Sequence, residues 1–134
     1  MSDLGSGAGF PGLILALFNN NKDFHVKLYE KSPVKRRFLT GVIKELNLNA
    51  KVFGDVRNEV IDSEIIICRA FKKLNKIIQV SREIAKKPHK LMILKGQNAQ
   101  EEIKNSFKTK KYPYKLESSM TNKDSKIILM EINK

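Results

Sequence analysis

Asp3-Leu4-Gly5-Ser6-Gly7-Ala8-Gly9-Phe10-Pro11-Gly12 is the stretch that decides the fold of this 134-residue chain. An acidic residue, glycines at alternate positions and Pro-Gly ahead of the apolar run Leu13 to Phe18 indicate the end of a strand, a tight loop and the start of a helix. Without a Cβ, the loop N–H groups can approach a ligand closely. Pro11 suits a first helical turn, where its missing N–H is not needed. Free N–H groups at such a turn favour an anion, so the loop is expected to hold a carboxylate or phosphate. A glycine-rich strand-to-helix turn that binds nothing is the alternative.

Outward from the loop, strands and helices alternate. Asn19-Asn20-Asn21 marks a turn, and His25 to Glu30 alternates as a strand. Ser32-Pro33 caps a helix carrying Phe38, Leu39, Val42, Ile43 and Leu46 at helical spacing. Ala50 to Phe53 is a short strand closed by Gly54-Asp55. In the strand Glu64 to Arg69, the unbroken run Ile65-Ile66-Ile67-Cys68 predicts cover on both faces, as in a parallel sheet. A helix through Leu74, Ile77, Ile78, Val80, Ser81 and Ile84 precedes the strand Leu91 to Leu94, which stops at Lys95-Gly96. Glu101 to Phe107 is a short helix, and Lys115 to Met120 and Ile127 to Ile132 are the closing strands. The pattern predicts one α/β domain over residues 1–134.

In an open parallel sheet, ligands sit beyond the carboxyl ends of the strands where strand order reverses. Glu30 ends the second strand, eighteen residues after Gly12, where a carboxylate can accept from both hydroxyls of a ribose. Asp55, Val56 and Arg57 follow the third strand, at the place for a base. Arg69 ends the fourth strand and Lys95 the fifth. His25 and His89 start strands, at the far end from such a site.

Composition bounds the partners. No apolar run reaches the length of a membrane span, and no signal segment is visible, so a cytoplasmic protein without a membrane partner is expected. Cys68 is the single cysteine, so no internal disulfide or cysteine metal cluster forms, and no metal is expected. The net charge of +12 suggests a nucleic acid, although 21 of the 26 basic residues are Lys in a chain also rich in Asn and Ile, a bias that codon usage can produce. Lys35-Arg36-Arg37, Lys72-Lys73, Lys86-Lys87 and Lys110-Lys111 discriminate: on one face they indicate binding, scattered they indicate solvated surface.

The loop spacing excludes two common phosphate sites. No Lys-Ser/Thr follows the glycines as a P-loop requires, and Gly5-x-Gly7-x-Gly9 is not the dinucleotide GxGxxG. Asp3 ahead of a GxGxG loop resembles the first motif of class I S-adenosylmethionine (SAM) methyltransferases, which implies that the loop faces the methionine part of SAM and that Asp3 helps fix its ammonium. Glu30-Lys31-Ser32 with Lys35-Arg36-Arg37-Phe38-Leu39, Arg69-Ala70-Phe71 and Leu94-Lys95-Gly96 extend the likeness in order. Together, the four motifs resemble the glucose-inhibited division protein B family, the small-subunit (16S) ribosomal RNA guanine-N7 methyltransferases.

That resemblance implies a class I SAM-dependent methyltransferase (Rossmann-like) fold, mostly parallel with an antiparallel last strand. It implies SAM as methyl donor and a guanine N7 of 16S rRNA, free or in the small ribosomal subunit, as acceptor, with a monomer the favoured state. SAM binding is carried onto Asp3, Gly5, Gly7, Gly9, Phe10, Glu30, Val56, Arg57 and Arg69. Lys35, Arg36, Arg37, Phe71 and Lys95 are candidates for RNA contacts, with the charged polar face of a helix as the alternative for the first three and a solvated loop as the alternative for Lys95. Two departures stand out. Only Met1 and Ser2 precede Asp3, whereas the family usually carries a helical N-terminal extension, so a domain lacking that extension is expected. Arg57 stands where members often have an acidic residue, and it cannot accept a hydrogen bond from an adenine amino group.

Guanine N7 carries a free lone pair, so its methylation needs alignment and charge support rather than a base. No Ser/His/Asp or Cys/His set is present to supply acid–base catalysis. Arg69 is the one candidate for a direct role, on the SAM carboxylate or a substrate phosphate, with an ordinary structural ion pair as the alternative. Phe71 is a candidate to stack on a flipped guanine, with ordinary packing as the alternative. Cys68, inside an apolar strand, suits a buried thiol better than a nucleophile. A non-catalytic, basic RNA-binding chain of the same fold is the alternative function.

Overall fold

The three residues of β1 (Ser2–Leu4) are buried at the centre of a seven-stranded sheet, and their neighbours explain why so short a strand holds there. β1 pairs in parallel with β2 (Val26–Tyr29) on one side and β4 (Ile65–Arg69) on the other. β3 (Ala50–Phe53) lies outside β2, and β5 (His89–Lys95) outside β4, all parallel. β7 (Lys126–Ile132) then runs antiparallel to both β5 and β6 (Tyr114–Ser118), giving the order β3-β2-β1-β4-β5-β7-β6. The expected mostly parallel sheet with an antiparallel last strand is what this computed structural model contains, over residues 1–108 and 110–133.

Strand alternation puts successive side chains on opposite faces, and the two faces bury two cores. On one, Leu74, Ile77 and Ile84 of α3 (Leu74–Ile84) pack with Ile66 and Cys68 of β4, Leu91 and Ile93 of β5, and Ile128 of β7. On the other, Leu13 and Ala16 of α1 (Gly12–Phe18) and Leu39 of α2 (Pro33–Glu45) pack with Val26 and Leu28 of β2. Ser32 caps α2, its hydroxyl accepting from the Lys35 N–H. α4 (Ala99–Ser106) follows β5. No helix among the described residues is long and apolar enough to cross a membrane.

The differences from the expected elements are local. β5 begins at His89 rather than Leu91 because β4 and β7 flank it, so the ladder holds Lys90 whatever its side chain prefers. α4 begins at Ala99 rather than Glu101, and that residue is buried. Pro11 lies one residue ahead of α1 rather than inside it. A 3-10 turn, Val56–Asn58, follows β3 where the sequence carries no periodic signal.

Two glycines with opposite surroundings test this packing. A Cβ at Gly12 would lie 2.4 Å from Leu28 Cδ2 and 2.6 Å from Asp3 Oδ2, so α1 sits close on β1 and β2 only because this residue has no side chain. Gly41, inside α2, has nothing within 4 Å of such a position. Gly12→Ala is expected to lower stability by about 1–3 kcal/mol, and Gly41→Ala to raise it by about 1 kcal/mol. Urea denaturation of the two variants checks the contrast.

Candidate cofactor site

The loop between β1 and α1 is fastened by two buried carboxylates. Gly5 and Ser6 donate their N–H groups to the Tyr29 carbonyl at 2.9 and 3.1 Å, which bends the chain back over the end of β2. Gly7 N–H reaches Glu30 Oε2 at 2.9 Å, and Gly12 N–H reaches Asp3 Oδ2 at 3.0 Å. Gly5, Gly7 and Gly9 have φ of 70°, 59° and 96°, a region that residues with a Cβ rarely adopt. The expectation that these N–H groups stand free for an anion is therefore corrected. Those of Gly5, Ser6, Gly7, Gly9 and Gly12 all bond within the protein, and among the described residues the loop keeps only those of Ala8 and Phe10 without an acceptor.

Glu30 is 6% exposed, and its second oxygen accepts from Ser32 N–H at 2.9 Å, so one carboxylate ties the glycine loop to the start of α2. Each oxygen retains a further lone pair for a ligand hydroxyl. Arg36 closes the same corner by donating to the carbonyls of Glu30 and Lys31 at 3.0 and 2.7 Å, which occupies a side chain expected to face RNA.

A cavity of about 260 Å³ opens at the carboxyl ends of β1, β2 and β3. Gly5, Glu30, Lys35, Val56, Arg57 and Phe71 of the expected set line it, joined by Tyr29, Lys31, Asp55, Ala70 and Lys72. The Phe71 ring packs over Gly5, where a Cβ would come within 2.7 Å of it. Val56 is buried, and Tyr29 stacks on Phe53 at 5.1 Å. Arg57 does not stand alone: its Nε lies 3.0 and 3.1 Å from the two Asp55 oxygens, and that hydrogen-bonded pairing holds the Asp55 carboxyl down at about 2. The loop thus presents a carboxylate two residues before the position where an acidic residue was sought.

The remaining expected residues lie elsewhere. Asp3 is 1% exposed beneath the loop, and neither it, Gly7 nor Gly9 lines the cavity. Phe10 is 49% exposed, with the Arg69 guanidinium 5.8 Å from its ring centroid. Arg69 faces a neighbouring cavity rather than the one holding Glu30. Lys95 is committed to the protein, donating to the Lys72 carbonyl at 2.9 Å and pairing with Glu102 at 3.0 Å. Arg37 lies on the exposed surface of α2.

The basic clusters divide between the two edges of the sheet. Lys35-Arg36-Arg37 and Lys72-Lys73 follow the ends of β2 and β4, at the cavity edge, whereas Lys86-Lys87 and Lys110-Lys111 precede β5 and β6, at the opposite edge. His89 is buried at the start of β5, also at that far edge. Cys68 is fully buried, and burial pushes its thiol up to about 12, which leaves it un-ionised.

Comparison with known proteins agrees with this geometry. The family model described as rRNA small subunit methyltransferase G (GidB) matches residues 1–129. The rRNA small subunit methyltransferase G of Mesoplasma florum is 38% identical over 92% of this chain, and that of Pelagibacter ubique 32% identical over 100% of it. The chain spans 52% and 64% of the lengths of those two relatives. A SAM-dependent methyltransferase of Aquifex aeolicus superposes with a TM-score of 0.71 at 13% identity, covering 98% of this chain and 80% of its own. The fold is thus that of the class I, Rossmann-like methyltransferases.

Asp3 gives the site a measurable signature. Burial raises its carboxyl from 3.8 to about 6, against the lowering effect of the Gly12 hydrogen bond. A shift of that size corresponds to about 3 kcal/mol. The folded chain keeps a proton that the unfolded chain has lost, so this group makes stability fall as pH rises from about 4 to about 6, with no further change above. Asp3→Asn keeps a carbonyl acceptor for Gly12 and is expected to remove that slope. Urea denaturation from pH 4 to 8 measures it, and an unchanged slope in the variant would assign the titration to another group.

Proposed function

The chain belongs to the rRNA small subunit methyltransferase G family, and from that premise we propose that it transfers a methyl group from SAM to N7 of a guanine in 16S rRNA. One observation carries the reading: Gly5, Glu30 and Val56, which come from three separate segments of the chain, converge on one cavity at the carboxyl edge of a doubly wound sheet.

The residues present fit the cofactor. Glu30 has lone pairs for the ribose hydroxyls, and Val56 and Phe71 offer apolar surface to a base. Asp3 Oδ1 is buried without a hydrogen-bond partner, an unsatisfied carboxylate oxygen beneath the glycine loop that suits the ammonium of the methionine part. When bound, SAM supplies an electrophilic sulfonium methyl. The protein aligns the acceptor lone pair and shields it from water, and no side chain has to remove a proton. Arg69, in the neighbouring cavity, is a cation placed to hold a carboxylate or phosphate. The chain acts as a single SAM-dependent methyltransferase domain, in the cytoplasm, on free 16S rRNA or on the small ribosomal subunit.

Two measurements test the proposal. Calorimetry is expected to show SAM binding that Glu30→Ala weakens at least about tenfold, the loss of roughly one charge-assisted hydrogen bond. Affinity should also fall as pH drops below about 6, where Asp3 takes up its proton. Incubation with labelled SAM is expected to methylate small subunits or naked 16S rRNA at guanine N7. RNA binding without any SAM affinity would instead identify a non-catalytic RNA-binding chain of the same fold.

A further inference from the structure

One row of residues crosses most of the sheet. Leu28, Asp3, Ile67, Met92, Leu129 and Lys115 are successive register partners and so project from the same face. α1 and α2 cover that face over β2, and α3 packs on the other face. Over β5 and β7 no helix among the described residues covers it: Met92, Leu94, Ile127 and Leu129 are half-buried and belong to neither core. A groove of about 470 Å³ lies there, lined by Ile65, Lys90, Met92, Lys115, Leu129 and Glu131 among others.

Antiparallel strands that face water carry polar side chains on the wet side. β5 and β7 break that pattern on this face, where Met92 and Leu94 stand in register with Leu129 and Ile127. α1, which lies on the same face, has no polar side chain, and its Ile14, Leu17 and Phe18 are exposed. A helix apolar all round is suited to being covered. On β5 and β7 the face carries charge only at Lys90 and Glu131, which are register partners. Neither forms an ion pair among the described residues.

Sheets stacked face to face keep their strand directions within about 30° of each other. A two-fold axis along the strands, midway between β5 and β7, therefore sets each row of one copy over the same row of its partner with the two strands exchanged. Under that operation apolar meets apolar and each charge meets its opposite, which is the self-complementarity that an isologous interface requires. We propose that this face is the interface of a two-fold dimer of this chain, with Met92 on the partner's Leu129, Leu94 on the partner's Ile127, and Lys90 against the partner's Glu131. The exchange gathers four charges of alternating sign at one end of an apolar patch. This dimer replaces the monomer that the resemblance favours. It is independent of the methyl-transfer reading, because the cavity of Glu30 and Val56 opens at the carboxyl ends of β1, β2 and β3 and not on this face.

The test uses the full chain and sedimentation velocity over about a hundredfold range of concentration, since a dimer forms by mass action. The parent is expected to pass from monomer to dimer as concentration rises. Lys90→Glu and Glu131→Lys each make all four charges alike, and each is expected to weaken the dimer about tenfold or more. Mixing the two variants brings opposite charges together again and is expected to restore a heterodimer, an outcome that damage to the fold does not produce. Affinity for SAM, measured by calorimetry, stays at the parent value in both. Met92→Gln, uncharged and at the middle of the patch, is expected to weaken the dimer about tenfold, and it decides the matter if a charge reversal does not fold. A parent chain that stays monomeric overturns the proposal and leaves the face to a segment of another polypeptide. A dimer that survives Met92→Gln and both reversals, or two reversal variants that stay monomeric when mixed, also overturns it. A parent chain without SAM affinity counts against the methyltransferase reading alone.

Discussion

Two carboxylates taken out of water hold the site together. Asp3 anchors the start of α1 through Gly12, and Glu30 holds Gly7 while capping the turn into α2. Three left-handed glycines let the chain pass between these anchors without a side chain in the way. The loop is therefore a built element with its own hydrogen-bond network, and not a row of free N–H groups awaiting an anion. Burying a charge is unfavourable unless it is bonded. Glu30 is bonded at both oxygens, and Asp3 at one. Burial gives Asp3 its raised carboxyl, and one of its oxygens stays unmatched under the loop.

The same economy of position governs the edge of the sheet. Strand ends deliver Glu30, Arg69 and Lys95 to one side of the molecule, but side-chain pairing then sorts them. Arg36 and Lys95 are drawn into the protein's own carbonyls and carboxylates, whereas Arg69 remains beside Phe10. Net charge alone could not make that distinction. The clusters at residues 86–87 and 110–111 contribute to the +12 and yet sit on the far edge.

Much of the fold was legible because its signals are local. The glycine loop, the Ser32-Pro33 cap and the apolar run Ile65 to Cys68 each fix a piece of backbone by their own chemistry, and alternation of strand and helix does the rest. The site was legible where position in the fold determines it: Glu30 and Val56 follow strands, and both line the cavity. It was not legible where a long-range partner decides. Nothing near Lys95 in sequence shows that Glu102 captures it from the next helix, and nothing near Gly7 shows that Glu30 takes its N–H. The β6–β7 turn carries no motif, and only the pairing of β7 with β5 brings Lys126 beside Lys95.

Amide NMR during titration with S-adenosylhomocysteine, the product of methyl transfer, shows whether the cavity at the carboxyl ends of β1, β2 and β3 binds the nucleoside of the methyl donor. Perturbed amides are expected at Gly5 and Gly7, at Glu30 to Ser32, at Asp55 to Arg57 and at Ala70 and Phe71, with the strands' opposite ends silent. Perturbations confined to that opposite edge, around His89 and Tyr114, or a spectrum unmoved by the ligand, would contradict it.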